Sequence, residues 1–240
     1  MTETTWNGFK RLDFEFDGMS AILVFPDIAI ENKNWLLKTE YFNAFPEFEI
    51  KMLERGWHLA YIKNKTRWCL DEDIERKKHF VDYITKEYGL YPKCLPVGMS
   101  CGGMIAFKLA ARFPHLVSAL YLDAPVMNLL SCPAGIGDAG NELFPEFINA
   151  TGMSLSELIS YRDNPIDNMA SILKNNIPVM MVYGDKDTVV PDHENGALYE
   201  DFCKKNGGII SVIKKINCGH HPHGLNDNTP IIYFAEKYAK

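Results

Sequence analysis

A serine lies between two glycines in residues 95–103, which read Leu-Pro-Val-Gly-Met-Ser-Cys-Gly-Gly. A short apolar run precedes Gly98 and a helix-forming segment follows Cys101, so the pattern predicts a strand, a sharp turn carrying Ser100, and a helix. A serine held in a strained turn with positive φ exposes its hydroxyl only where the residues at minus two and plus two lack bulk. Gly98 and Gly102 meet that condition. The spacing favours a nucleophilic serine over a glycine-rich turn with an incidental one.

The predicted helix that begins at Cys101 would stabilise negative charge beside Ser100. Its first N–H groups have no partner within the helix, and the positive end of its dipole points the same way. We therefore predict the backbone N–H of Cys101 as an oxyanion donor. The Cys101 thiol also lies at a helix N-terminus, which lowers a thiol pKa. Its side chain is expected to point away from that of Ser100, so a cysteine nucleophile is not predicted.

A serine hydroxyl is a weak nucleophile at neutral pH and needs a base, which in turn needs an acid to orient it. An acidic turn at residues 184–187 and a histidine-rich loop at residues 219–224 each follow a predicted strand. The chain order Ser, Asp, His is that of one large class of serine hydrolases. We predict Ser100 as nucleophile, His220 as base and Asp187 as the acid that holds the imidazole.

Three acids compete for the position beside the base. Asp187 is preferred to Asp185 because the turn at Gly184 must first redirect the chain. Asp123 closes a neighbouring predicted strand and is the rival acid, although a structural bond to a loop N–H is its expected role.

The histidine loop contains His220, His221 and His223. His220 is preferred as the base because it directly follows Gly219, where the chain leaves the last strand. The three imidazoles could also suggest a metal site, but no carboxylate neighbours them in the sequence, and zinc prefers tetrahedral sets with separated ligands. We predict no metal and no cofactor. Whether His221 or His223 assists stays open.

Hydrophobic patterning predicts alternating strands and helices, and hence a mostly parallel α/β sheet with an antiparallel start and helices on both faces. Residues 71–88 show a helical period ended by Gly89. Helix caps are predicted at Ser154, Asp192 and Thr229, the last with Pro230 in the first helical position. The predicted strands, besides the one leading to Gly98, are residues 11–16, 20–25, 58–62, 117–122, 177–183 and 209–213.

Residues 127–175 interrupt this alternation with short helices and with glycine- and proline-rich pieces. We predict a lid inserted within one domain and lying over the strand ends. Tyr161 and Arg162 are predicted substrate contacts from it, with a brace between loops as the alternative. Trp35 and Lys38 are predicted at the pocket rim.

Composition narrows the classes of function. A chain of 240 residues with 47% hydrophobic content suits one domain, residues 1–240. A net charge of −6 argues against a nucleic-acid or anionic-membrane partner. The N-terminus lacks a signal-peptide pattern, no apolar run reaches about 20 residues, and the six cysteines are scattered. We expect a cytoplasmic protein with free thiols and a small-molecule partner; the oligomeric state stays open.

The chain resembles the α/β-hydrolases, with residues 98–102 matching the nucleophile elbow, 184–187 the acid turn and 219–220 the histidine loop. Residues 122–126, 164–168 and 219–224 further resemble bacterial esterase-like hydrolases related to prolyl oligopeptidase catalytic domains. That resemblance covers the chain from residue 20 onward and implies the α/β-hydrolase fold, with a hint of sugar esters as substrates. One departure is that no His-Gly follows the strand at 20–25, so the second oxyanion donor is expected from the backbone of loop 27–34.

The expected activity is hydrolysis of a small carboxylic ester through an acyl-enzyme. A sugar ester and an acetyl ester are the two substrates considered. A peptidase of the prolyl oligopeptidase type is the alternative within enzymes. A non-catalytic ligand-binding receptor on the same scaffold is the alternative outside them, because a fold does not determine a function.

Overall fold

The computed structural model describes residues 1–239, and its strands form one sheet of nine in the order β1-β2-β3-β5-β4-β6-β7-β8-β9. The first three pair antiparallel and β3 pairs antiparallel with β5, while all later neighbours are parallel. The predicted α/β sheet with an antiparallel start is confirmed. The strands are β1 Thr2–Trp6, β2 Phe9–Phe16, β3 Met19–Val24, β4 Trp35–Lys38, β5 His58–Ile62, β6 Leu95–Met99, β7 Leu120–Asp123, β8 Val179–Gly184 and β9 Ile210–Lys215.

Helices cover both faces of the sheet, because neighbouring side chains on a strand point to opposite faces. Leu36 and Leu37 of β4 show this alternation, since each belongs to a different apolar cluster. The Leu37 cluster contains residues of α2 and α3, and the Leu36 cluster contains residues of α1 and α8. The helices are α1 Glu47–Glu54, α2 Asp71–Tyr88, α3 Cys101–Arg112, α4 Phe144–Thr151, α5 Leu155–Ser160, α6 Met169–Lys174, α7 Gly196–Asn206 and α8 Thr229–Tyr238.

One predicted helix cap is confirmed and two are corrected. Ser154 forms a capping box with Glu157 at the start of α5. Asp192 does not cap α7, because it lies in a short 3-10 turn and accepts a bond from Lys214 instead, while Asn195 precedes the helix. α8 begins at Thr229, one residue earlier than predicted.

The short strand β4 is not among the strands predicted from the sequence. It lies in the middle of the sheet between β5 and β6, and all four of its residues are buried. Loop 27–34 precedes β4 and is bonded to Gly56, just before β5, through the N–H of Ile30. That loop is therefore at the amino-terminal edge of the parallel strands and cannot supply the second oxyanion donor. Loop 39–46, which follows β4, is at the opposite edge.

The carboxyl-terminal edge gathers the predicted site residues. Ser100 directly follows β6, Asp187 lies three residues beyond β8, and His220 lies five residues beyond β9. In open parallel sheets this edge is where ligands bind. Within residues 1–239, no helix is long and apolar enough to cross a bilayer.

Candidate active site

Ser100 occupies the strained turn that its glycine neighbours predict. Its backbone has φ 53° and ψ −121°, a conformation that residues other than glycine rarely adopt. The turn is held by the Ser100 N–H, which donates to the backbone oxygen of Asp123 at 2.9 Å. A Cβ added to Gly98 would lie 2.3 Å from the backbone oxygen of Gly102. The glycine at minus two is thus required by close packing of strand against helix.

Gly98→Ala is therefore expected to destabilise the protein by at least about 3 kcal/mol, the upper end of the usual cost of overpacking, because backbone must move. Urea denaturation measures the change in free energy of unfolding. Gly219→Ala is the matched control beside the histidine, since its Cβ would lie 3.6 Å from the nearest heavy atom, the Lys186 oxygen. Equal stability of the two variants would contradict this account of the turn.

Three side chains from distant parts of the chain form one line of hydrogen bonds. His220 Nε2 lies 3.0 Å from Ser100 Oγ, and His220 Nδ1 lies 2.7 Å from Asp187 Oδ2. The second carboxylate oxygen of Asp187 accepts from the N–H groups of Val189 and Val190 at 2.9 and 2.8 Å. These bonds fix the carboxylate, so the Nδ1 proton of His220 faces Asp187 and its Nε2 lone pair faces the hydroxyl.

Asp123 and His223 form a second carboxylate–imidazole pair next to the first. Asp123 Oδ1 lies 2.7 Å from His223 Nδ1, and its Oδ2 accepts from the N–H of Gly224 at 2.7 Å. Asp123 thus makes the loop bond expected of it and does not contact His220. No carboxylate neighbours these histidines in the sequence, but Asp187 from the loop after β8 and Asp123 from the end of β7 each bond to one of them.

A cavity of about 310 Å³ opens over the serine. Its walls come from the loops after β4, β5, β8 and β9, from the elbow and from the insertion. The lining residues are Tyr41, Ala44, Phe45, Arg67, Met99, Ser100, Cys101, Leu143, Val189, His220, His221 and His223.

Burial raises the pKa of the Cys101 thiol to about 11, which reverses the lowering expected from the helix N-terminus.

The model of one protein family, described as Serine hydrolase (FSH1), matches residues 54–221. The chain belongs to this serine hydrolase family. The matched stretch contains Ser100, Asp187 and His220. A comparison with curated proteins gives no sequence match.

Solved structures similar to this serine hydrolase confirm the α/β-hydrolase fold. A puromycin-hydrolyzing peptidase of Mycobacterium tuberculosis matches with a TM-score of 0.73 and 12% identity over 89% of this chain. An acylaminoacyl peptidase of Pyrococcus horikoshii matches with a TM-score of 0.73 and 12% identity over 97% of this chain. The serine hydrolase spans only 36% and 42% of the lengths of those two chains. At such identities the likeness concerns the fold alone.

Arg67 is the cation in the cavity wall of the serine hydrolase, and the sequence did not single it out. Its guanidinium donates to both carboxylate oxygens of Glu146 in α4, one at 2.8 Å. The pair lowers the pKa of Glu146, chiefly through the hydrogen bond. Arg67 therefore ties the cavity wall to the insertion at residues 127–175. No local signal reveals this, since 79 positions separate the partners.

The two residues predicted at the pocket rim lie away from the cavity. Trp35 and Lys38 are buried in β4, where the Trp35 indole N–H donates to the backbone oxygen of Tyr91 and Lys38 forms a buried ion pair with Glu49. The prediction for both residues is wrong because they belong to β4, a central strand whose four residues are all buried.

Tyr161 and Arg162 are also outside the cavity over Ser100. The Tyr161 hydroxyl accepts from Lys108 at 2.8 Å and lines a separate cavity of about 150 Å³. The Arg162 guanidinium donates to the backbone oxygens of Ile159 and Tyr161. These contacts fit the alternative role of a brace. The insertion residue that does line the main cavity is Leu143.

Proposed function

We propose that the protein hydrolyses a small carboxylic ester through an acyl-enzyme formed on Ser100. The observation that carries this proposal is the unbroken line of hydrogen bonds from the Asp187 carboxylate through His220 to the Ser100 hydroxyl. The serine hydrolase family and the cavity over the hydroxyl support it. A receptor that has lost catalysis would not need all three groups in contact.

In the proposed mechanism Ser100 Oγ attacks the ester carbonyl while His220 Nε2 takes its proton. The carbonyl oxygen becomes an oxyanion, which the N–H of Cys101 stabilises because it is the first N–H of α3 and has no helical partner. His220 then donates the proton to the leaving alcohol. The same imidazole activates water, which releases the acyl group and restores the Ser100 hydroxyl.

We place the second oxyanion donor in loop 39–46, in place of loop 27–34. Tyr41, Ala44 and Phe45 of that loop line the cavity with Ser100. In related folds one oxyanion donor comes from the loop after a strand that neighbours the strand leading to the nucleophile. Here β4 neighbours β6, which leads to Ser100, and loop 39–46 follows β4.

The lining of the cavity favours an ester over a peptide with a free amino terminus. An aminopeptidase needs a carboxylate to hold the substrate's ammonium group, whereas the described lining contains one cation, Arg67, and no acidic side chain. Most of the other lining residues are apolar or aromatic, which suits a short acyl or alcohol group. A peptidase remains the second candidate, because the similar structures are of peptidases.

Labelling and turnover separate the candidates. A fluorophosphonate probe is expected to label Ser100, and esters of short acids are expected to be cleaved faster than aminoacyl anilides. Faster cleavage of the anilides would favour the peptidase. Ligand binding without labelling or turnover would favour the receptor.

We also propose that residues 127–175 act as a lid that shapes the pocket through Leu143 and through Glu146, the partner of Arg67. Leu143→Ala is expected to change relative kcat/KM across esters of varied acyl and alcohol length by about 10-fold or more, the effect of removing methylene groups from a pocket wall. Arg162→Ala is the matched control from the same segment and is expected to leave the ratios unchanged. Equal relative kcat/KM values across the esters for both variants would show that the lid does not select the substrate.

A further inference from the structure

Three imidazoles of the histidine loop lie close together at the edge of the cavity. His220, His221 and His223 each offer one ring nitrogen, and the three nitrogens lie within 4.8 Å of one another. The ring centroids are 4.9 Å apart in every pair. Ester hydrolysis needs only one of these imidazoles, so the cluster has two that the proposed mechanism does not use.

Two of the imidazoles are held in the way that metal-binding histidines are usually held. His220 Nδ1 is 2.7 Å from Asp187 and His223 Nδ1 is 2.7 Å from Asp123, and both carboxylates are buried. Metal ligands of this type donate one ring N–H to a carboxylate, which fixes the ring and makes the other nitrogen more basic. The remaining nitrogens, Nε2 of His220 and of His223, are thereby left as lone-pair donors.

The third imidazole can adjust to a metal ion. Nitrogens bound to one tetrahedral zinc ion are about 3.4 Å apart, given Zn–N distances of about 2.0–2.1 Å, so the cluster must contract slightly. His221 is exposed and makes no side-chain hydrogen bond among those described, so its ring can rotate toward the other two.

We propose that His220, His221 and His223 form a binding site for a divalent transition-metal ion such as Zn²⁺, and that the bound ion inhibits the enzyme. Three neutral imidazoles with one open position are a ligand set that suits zinc, nickel and copper. The ion occupies the lone pair of His220 Nε2, which lies 3.0 Å from Ser100 Oγ and must otherwise accept the serine proton. Metal binding and serine activation therefore exclude each other.

A second cluster provides the control for adventitious binding. Asp138, His193 and Glu194 also lie within 4.8 Å of one another. Asp138 and His193 are exposed and already contact each other at 3.0 Å, and Glu194 accepts bonds from Ser131 and from the N–H of Asp138. The acidic groups of this cluster already have protein partners.

The decisive experiment measures Co²⁺ binding to the full-length Ser100→Ala variant through the visible absorption of the coordinated ion. Adding His221→Gln is expected to weaken Co²⁺ binding by more than about 100-fold. Removing a residue that only hydrogen-bonds to a metal ligand costs about 10–100-fold in affinity, and removing a ligand itself costs more. Adding His193→Gln is expected to leave binding unchanged. His221 is exposed, so its variant is expected to fold, and unchanged Co²⁺ affinity in it would overturn the proposal. Loss of binding in the His193 variant instead would do the same.

The inhibitory part is tested on the wild-type protein by the rate of fluorophosphonate labelling of Ser100. Zn²⁺ is expected to slow labelling and EDTA to restore it, whereas Mg²⁺, which prefers oxygen ligands, is expected to have no effect. Labelling that is equally fast with bound Zn²⁺ would overturn inhibition. The absence of any labelling without metal would count against the proposed function alone, because Co²⁺ binding is read on an inactive variant.

Discussion

The Ser100→Ala variant is expected to lose ester hydrolysis by about 10⁶-fold in kcat, the usual cost of removing the nucleophile of such a triad. The hydroxyl bonds only to His220 among the described contacts, so its loss leaves the packing of the elbow unchanged. Initial rates on an activated ester measure the change, with mass spectrometry to exclude a contaminating enzyme. Turnover near the wild-type rate would refute Ser100 as nucleophile.

A second substitution at Ser100 separates the chemical role of its hydroxyl from the structural role of its backbone conformation. Alanine retains the Cβ that strains the backbone at φ 53° and ψ −121°, whereas glycine does not. Ser100→Gly is therefore expected to be more stable than Ser100→Ala by roughly 1 kcal/mol, since about 1–3 kcal/mol of strain is relieved and about 0.4–1 kcal/mol of chain entropy opposes it. Both variants are expected to be inactive. Higher stability of the alanine variant would mean that the turn is not strained.

The local parts of the fold and of the candidate site could be predicted because their causes are local. The elbow depends on steric limits within five residues, and Ser100 indeed adopts a positive φ. The capping box at Ser154 involves a partner three residues away. The strands of the parallel sheet read as continuous apolar runs because both of their faces are buried, as β6 and β8 show.

The parts that were missed depend on partners far away in the sequence. β4 has only four residues and contains Lys38, whose ammonium group is buried against the carboxylate of Glu49 in α1. A charged residue at the end of so short a run suggests a loop unless that partner is known. Because β4 was missed, Trp35 and the second oxyanion donor were misplaced together.

The surroundings of the candidate site follow the same rule. Asp123 lies 100 positions from His223, so the carboxylate that holds this imidazole cannot be found by searching the neighbouring residues. Asp192 has the residue type of a helix cap, but Lys214 on β9 provides a competing partner. Residue type predicted which groups are available, and tertiary contacts determined which of them meet.

The Asp187→Asn substitution separates the three acids near the histidine loop. The Asp187 Oδ1 atom accepts from the N–H groups of Val189 and Val190, so the amide of an asparagine would place its oxygen there. Its NH₂ group would then face His220 Nδ1 and donate to it. The imidazole would carry its proton on Nε2 and could not accept the proton of Ser100. We expect a loss of up to about 10⁴-fold in kcat with the fold retained.

The two other acids are the matched controls for this substitution. Asp185→Asn is expected to cost far less activity, because Asp185 makes no described contact with His220. Asp123→Asn is expected to lower the free energy of unfolding by about 1–3 kcal/mol, since a buried acceptor of the His223 and Gly224 bonds is altered. Its kcat is expected to fall less than that of Asp187→Asn. If folded Asp123→Asn protein lost more activity than Asp187→Asn, the acid of the triad would have to be Asp123, acting through a loop conformation different from this one.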